Sequence, residues 1–336
     1  MRVTIEPRTL RFRTPMQTSY GAVALREILE IEIEGDDGVP GRGEAAPLEP
    51  YDGVPTSRAR AALESYRPIL EHGDALAGGE LLDACRAADD LPQALAAVDM
   101  ALWDRAGRRA GRPVAQLLAE SVLDEVLVNA TIGAEDRAGA ATTADAARRA
   151  GFRCVKLKVG IGDDAGRVAA VRAALGPAAE LRLDANGAWG VDEAVRMIGA
   201  LAAAGLELVE EPVHGIGPLR AVRERVAVRI AMDETAAEPG SLASGAADAV
   251  CLKLARCGGI SGLLACASLV RASGAEPYVA STFDGPLGIA AALHAAAALR
   301  IQPACGLATL DLFADVEHPL EVRGGTIAVP RGPGLL

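Results

Sequence analysis

The chain has 336 residues, half of them hydrophobic, and a net charge of −11. That length exceeds one small core and suits a barrel of about 250 residues with a smaller companion domain. The acidic balance, without a basic block, argues against nucleic acid as a partner, and no run nears the roughly 18 apolar residues of a membrane span.

Aromatic residues make up only 3%, so the core must be built from Ala, Val, Leu and Ile. The N-terminal MRVTIEPRTLRFRTP has no apolar signal core. The six cysteines (Cys85, Cys154, Cys251, Cys257, Cys266, Cys305) form no CxxC pair. They read as buried thiols of a reducing compartment, and the cytoplasm is the expected location.

In chain order, VTIEPRTLRFR and EILEIEIEGDDG alternate apolar and polar positions and predict an antiparallel meander. Helical periodicity follows over residues 56–72 and 92–110; the second stretch opens on Pro92 and stops before Gly111. Together these predict an α+β domain over residues 1–120.

Beyond residue 120 the pattern changes. LVNATI, CVKLKV, ELRLD, LELVEEP, VRIAMDE, AVCLKL, EPYVAS and ACGLATLDL are eight strand candidates. Each but the last is followed by a helix-like segment, as DAGRVAAVRAAL follows CVKLKV. Eight such units predict a (β/α)8-type barrel over residues 121–319, with an incomplete last unit. The extended tail, residues 320–336, is expected to return to the first domain.

In such barrels chemistry sits at the C-terminal strand ends. The second strand carries Lys156 and Lys158, which alternation puts on one face. The third ends on Asp184, with Arg182 before it and Asn186 after it. The fourth ends on Glu210 and Glu211, the fifth on Asp233 and Glu234, and the sixth on Lys253. Asp184, Glu210 and Asp233 recur about one βα unit apart, so three carboxylates reach one mouth. Such hard oxygen ligands suit Mg²⁺ or Mn²⁺.

The lysines lie on opposite sides of that metal position. A metal-held carboxylate has a more acidic α-carbon, and a lysine among cations such as Lys156 and Arg182 is a competent base. Singly, KxK reads as a solvated edge and DANG as a turn. On consecutive strands in register they read as one site, and an unpaired buried Lys253 would cost several kcal/mol.

GRGEAAP, ALWDRAGRRAGRPVAQLL, KLK, DANGAW, VEEP, MDE, KLARCGGI and STFDGPLGIAA together resemble the enolase superfamily, in its muconate-cycloisomerase-type subgroup. The resemblance implies a barrel under an N-terminal capping domain. It implies Mg²⁺ on Asp184, Glu210 and Asp233, and Lys158 and Lys253 as the acid/base pair. Lys156, Asn186, Glu211 and Glu234 match supporting positions, and Asp284 stands where the family usually has Glu. A small carboxylate substrate and a homo-oligomer are also implied.

The half-reaction implied is removal of a proton α to a carboxylate; the overall reaction is left open. The loop TPMQTSYGAVALRE is similar to those of o-succinylbenzoate synthases. Tyr20 and Tyr51 are candidates to cover an apolar ring or simply to pack. Dipeptide epimerases carry Asp-x-Asp on the last strand; here Asp311 is followed by Phe313, and the next acid is Asp315. The resulting expectation is o-succinylbenzoate synthase, a step toward menaquinone. The alternatives are a dipeptide epimerase or N-acylamino acid racemase, then a muconate-type cycloisomerase. A scaffold without activity would have lost a ligand or a lysine. The four histidines read as structural.

Overall fold

The computed structural model describes every residue except 19, 20 and 315, and every side chain except those of 16–20 and 315. Tyr20 and Asp315 therefore lie outside the described residues. Strands β1 (Arg2–Thr18), β2 (Gly21–Glu34) and β3 (Pro40–Ala45) form the expected antiparallel meander in that order. Ile31 and Ile33 alternate into a core completed by Leu63, Tyr66 and Leu70.

A helical turn, α1 (Glu49–Asp52), precedes α2 (Thr56–His72), α3 (Gly78–Ala88) and α4 (Pro92–Ala110). Helices α2 and α4 have the bounds that their periodicity predicts, and Gly111, at φ 64°, ends α4. Helix α3 was not foreseen. It opens on two glycines, and its start is held by Glu80 accepting from the Ala77 N–H at 3.0 Å rather than by a Ser or Asp cap.

Helix α4 joins the two domains. Leu95 and Val98 belong to the capping core, whereas Ala96 and Met100 belong to the barrel core. Strand β3 lies directly on it: a Cβ on Gly41 or Gly43 would fall 2.0 Å from Ala101 O or Ala97 O. The G-x-G spacing of GRGE is thus a close-approach device.

After α5 (Val114–Leu118) and β4 (Glu125–Leu127) the barrel begins. Its strands are β5 (Ala130–Ile132), β6 (Cys154–Lys158), β7 (Glu180–Asp184), β8 (Leu206–Glu210), β9 (Arg229–Met232), β10 (Ala249–Leu252) and β11 (Glu276–Val279), parallel and in sequential order. Between and after them run α6 (Arg137–Arg149), α7 (Asp164–Leu175), α8 (Val191–Leu201), α9 (Ile216–Arg223), α10 (Leu254–Cys257), α11 (Ile260–Ala272) and α12 (Pro286–Ala298). Their apolar faces form one continuous core.

Two units depart from the expected pattern. The eighth strand shrinks to Cys305–Gly306, which bridges Val128 on one side and Ala280 on the other and so closes the ring. The fifth unit has only two 3₁₀ turns, Glu234–Ala237 and Ser241–Ala243, in place of a helix. Pro239 and Gly240 interrupt that segment.

The tail adds β12 (Val322–Arg323) and β13 (Thr326–Ala328); β13 pairs with β4. Near the end, Leu335 N donates to Asp104 Oδ1 on α4 at 2.7 Å. Among the described residues no helix is long and apolar enough to cross a membrane.

Candidate active site

Lys158, Asp184 and Glu210 pair across β6, β7 and β8 in one row at the mouth. Lys156, Arg182 and Leu208 form the row beneath. Lys156 does not stay in its row. Its four-carbon stem lifts the ammonium to Asp184 Oδ2 at 2.8 Å and Glu210 Oε1 at 3.0 Å. Lys158, two residues on, has no hydrogen-bond or ion-pair partner for its Nζ among the described residues.

The charges follow from this wiring. Burial pushes the Lys156 ammonium down, but Asp184 and Glu210 outweigh it and hold it above the ordinary lysine value. Lys158 is lowered by burial, and Lys156 pushes it further down against the pull of Asp184. The strand thus carries one ammonium held by two carboxylates and one whose proton is held less firmly than in an ordinary lysine.

On the opposite side, Lys253 Nζ donates to Asp233 Oδ2 at 3.0 Å. Tyr51, from α1 of the capping domain, donates to Asp233 Oδ1 at 3.0 Å. Its ring lies under two cations, Lys253 at 5.4 Å and Arg256 at 5.0 Å. Arg256 Nη1 also donates to the Tyr51 hydroxyl at 2.8 Å. A cavity of about 400 Å³ opens here, lined among others by Asp233, Lys253, Arg256, Asp52 and Gln93.

The turns after the strands are strained. Asn186 and Glu211 take left-handed φ values of 44° and 40°, which Asn tolerates and Glu does not readily adopt. Four donors hold the Glu211 carboxylate: Asp233 N at 2.8 Å, Thr235 N at 3.1 Å, the Thr235 hydroxyl, and His214 Nδ1 at 3.0 Å. Glu211 therefore shapes the turn that presents Asp233. Asn186 Nδ2 reaches Glu234 Oε1 at 3.1 Å.

The donor set fits a divalent cation. Oxygens of Glu210 and Asp233 lie within 4.8 Å of one another, and Lys156 joins Glu210 to Asp184. Burial, with Asp184 and Asp233 nearby, raises Glu210 to about 7 and Glu234 to about 8. Glu234 Oε2 is buried with no partner among the described residues. Crowded, under-neutralised hard oxygens of this kind match Mg²⁺. Cys251 lies beside them, but burial pushes its thiol up, so it stays protonated and offers no thiolate.

Other expected residues lie elsewhere. Arg182 is not a neighbour of Lys158: it turns the other way, pairs with Glu207 through Nε at 2.5 Å and Nη2 at 2.9 Å, and donates to Ala304 O at 2.6 Å. A register shift in β8 brings Glu207 into its reach. Asp311 is not gathered into the mouth. The 3₁₀ turn Leu310–Leu312 swings its carboxylate outward, 72% exposed, at 3.4 Å from His318 Nε2. Asp284 is buried in the seam under the capping domain, accepting from the Thr282 hydroxyl at 3.0 Å.

Three contributors went unnoticed in the sequence. The Tyr278 hydroxyl donates to Glu210 Oε2 at 2.8 Å, and the inward parity of EPYV was a usable signal. Arg256, one turn after Lys253, was another. His214 sits three residues after Glu211 and was passed over as structural.

The chain matches two family models. Residues 1–119 match the mandelate racemase / muconate lactonizing enzyme N-terminal domain, and residues 139–335 match the enolase C-terminal domain-like model. It is 33% identical to the L-Ala-D/L-Glu epimerase of Bacillus subtilis, over 98% of this chain and 93% of that one. It is 41% identical to the o-succinylbenzoate synthase of Thermobifida fusca, over 62% of this chain and 68% of that one. A dipeptide epimerase from Enterococcus faecalis, solved with Mg and L-Leu-L-Tyr, superposes with a TM-score of 0.91 at 27% identity, covering 99% of this chain and 98% of that one.

Proposed function

The chain belongs to the enolase superfamily, in its mandelate racemase / muconate lactonizing enzyme group, and from that premise we propose that it is an o-succinylbenzoate synthase removing the α-proton of a carboxylate substrate. The observation that carries the proton abstraction is the contrast between partnered Lys156 and partnerless Lys158. A base needs a fraction of neutral amine near neutral pH, and Lys158 is the lysine whose surroundings favour it.

Asp184, Glu210 and Asp233 would hold Mg²⁺, which would supply Lewis-acid stabilisation of negative charge on the substrate carboxylate. Lys158 takes the α-proton on one face. Expulsion of the β-hydroxyl follows, and Lys158 returns its proton to the departing oxygen. Lys253 stays charged on the other face, which Asp233 favours by holding its ammonium form above the ordinary value against burial. Lys156 remains the fixed counter-charge for Asp184 and Glu210.

What favours dehydration over dipeptide epimerisation is the eighth strand. Gly306, Leu307 and Ala308 carry no charge there, and the carboxylate of Asp311 faces outward. Among the described residues of that arc, a substrate ammonium group meets no anion. The second reading, 1,1-proton transfer, draws on the full-length similarity to the epimerase. It makes Lys158 and Lys253 bases on opposite faces.

The test is an ultraviolet assay of the Mg²⁺-loaded protein with the cyclohexadiene precursor of o-succinylbenzoate, with and without Lys158→Ala. Loss of diene absorbance that depends on Lys158 supports the synthase. An unchanged spectrum, with deuterium incorporated into dipeptides or N-acylamino acids in D₂O, replaces it with the second reading.

A further inference from the structure

Glu44 ends the GRGE motif on β3 and is 1% exposed. Its Oε1 accepts from Gly285 N at 2.6 Å, and the Gly288 N–H is a second donor. These amides belong to the first turn of α12, so a side chain of the capping domain caps a barrel helix. The socket is cut to fit. A Cβ on Gly285 would fall 2.6 Å from Glu44 Oε2, and one on Gly288 would fall 2.5 Å from Glu44 Oε1. The D-G-P-L-G spacing clears both.

The other oxygen, Oε2, is buried with no donor among the described residues. A carboxylate in that setting is costly. The groups around it are Arg26 and Glu30 from β2 and Asp284 from the loop before α12. Glu30 is paired with Arg8. Arg26 directs its guanidinium to four carbonyls, those of Thr282 at 3.3 Å, Glu27 at 3.1 Å, Ala46 at 2.6 Å and Pro47. Arg26 faces both buried carboxyls and also Asp52, while Lys253 acts on Asp284 from the mouth; a proton on one of the two carboxyls relieves their crowding of negative charge.

Asp284 has the better claim to the charge. Burial raises it, but Arg26 and the Thr282 hydroxyl, which donates to it at 3.0 Å, oppose that rise. Glu44 has the orphaned oxygen.

We propose that Glu44 is a neutral latch between the domains: Oε1 caps α12 while Oε2 carries a proton, fixing the start of α12 and with it the loop that holds Asp284. Glu44 is thus a positioning residue, acting through α12 and Asp284 rather than on a reacting atom. Burial and the Asp284 charge, which push the Glu44 carboxyl up to about 8, agree with this. The latch does not depend on which reaction the mouth performs.

Thermal melts of the full-length, Mg²⁺-loaded protein at pH 6 and pH 9 test it. Glu44→Gln reproduces the neutral acid in shape and donors. Because the unfolded carboxyl ionises near 4.5 and the folded one only near about 8, wild type loses stability as pH rises through that range, so the margin of Glu44→Gln over wild type should be a few degrees wider at pH 9 than at pH 6. Glu44→Ala should melt lower at both. Asp284→Asn removes the neighbouring charge that pushes the Glu44 carboxyl up, so the pH at which stability is lost should move down; an onset that does not move overturns the latch. A Gln variant as damaged as the Ala variant at pH 6, or a Gln-to-wild-type difference independent of pH, overturns the latch. Should the Glu44 variants not fold, infrared spectroscopy of Mg²⁺-loaded Glu234→Gln decides, since Glu234 is also pushed up to about 8: a carboxylic-acid band still present at pH 6 and lost by pH 9 supports the latch, and no such band overturns it.

Discussion

Lys156 and Lys158 leave one strand face two residues apart, yet the first binds two carboxylates and the second binds none among the described residues. A pair of like charges is tolerable here because one is neutralised by Asp184 and Glu210 and the other sits where losing its proton is easier than for an ordinary lysine. Lys158→Ala is therefore expected to keep the fold and to lower turnover by about 10²–10⁴-fold. Circular dichroism with steady-state kinetics checks both halves; a folded variant with near wild-type turnover would remove Lys158 as the base.

Lys156→Met acts differently. It leaves Asp184 and Glu210 buried without their shared cation, a loss of about 3–5 kcal/mol in metal-free protein. Saturating Mg²⁺ should return most of it. Urea unfolding with and without Mg²⁺ measures the difference, and a penalty unaffected by metal would separate Lys156 from the carboxylate cluster.

Arg182 tests the lower layer. Arg182→Met strands Glu207 and is expected to cost about 3–5 kcal/mol, while the Mg²⁺ affinity stays unchanged. Pairing it with Glu207→Leu should cost less than the sum of the single changes, because no charge is then left alone. Additive costs would show that the ion pair at 2.5 Å is not the coupling.

Tyr51 ties the capping domain to Asp233. Tyr51→Phe keeps the ring under Lys253 and Arg256 and deletes only the hydroxyl. Removing a partner that orients a metal ligand typically weakens binding about tenfold or more. Calorimetric Mg²⁺ titration reads this directly; equal affinities would reduce Tyr51 to packing.

His294 gives stability a pH term outside the mouth. Its Nδ1 accepts from Ala115 N at 3.1 Å, so the proton sits on Nε2, which donates to Leu335 O at 3.0 Å. Burial lowers it from 6.5 to about 4. The unfolded chain thus takes the proton first, so its contribution is complete above about pH 6.5 and lost as pH falls toward 4. The advantage of wild type over His294→Asn should shrink by about 3 kcal/mol across that window. A constant difference would contradict the neutral ring.

Much of this architecture can be read from strand parity. KLK, DANG, VEEP and MDE mark strand ends because inward polar residues interrupt apolar runs there, and Pro92 and Gly111 bracket α4. What parity does not contain is where a long side chain bends. Lys156 and Arg182 share a row, yet one rises to the carboxylates and the other drops to Glu207, and only the register shift in β8 explains the second. Asp311 misled for a similar reason, since a 3₁₀ turn rotates it away from a strand face. The missing fifth helix and the start of α3 have local causes, Pro239–Gly240 in the first and the Glu80-to-Ala77 contact three residues apart in the second, which apolar periodicity does not register.

Asp104 has a consequence for synthesis. Its side chain is fully buried on α4 and accepts from the Leu335 N–H, 231 residues later. A ribosome adding about 5–20 residues per second leaves that bond unmade for roughly ten to fifty seconds. Until Leu335 follows, the Asp104 oxygen on α4 lacks its final donor, and this clasp between the two domains closes only after Leu335 has left the exit tunnel.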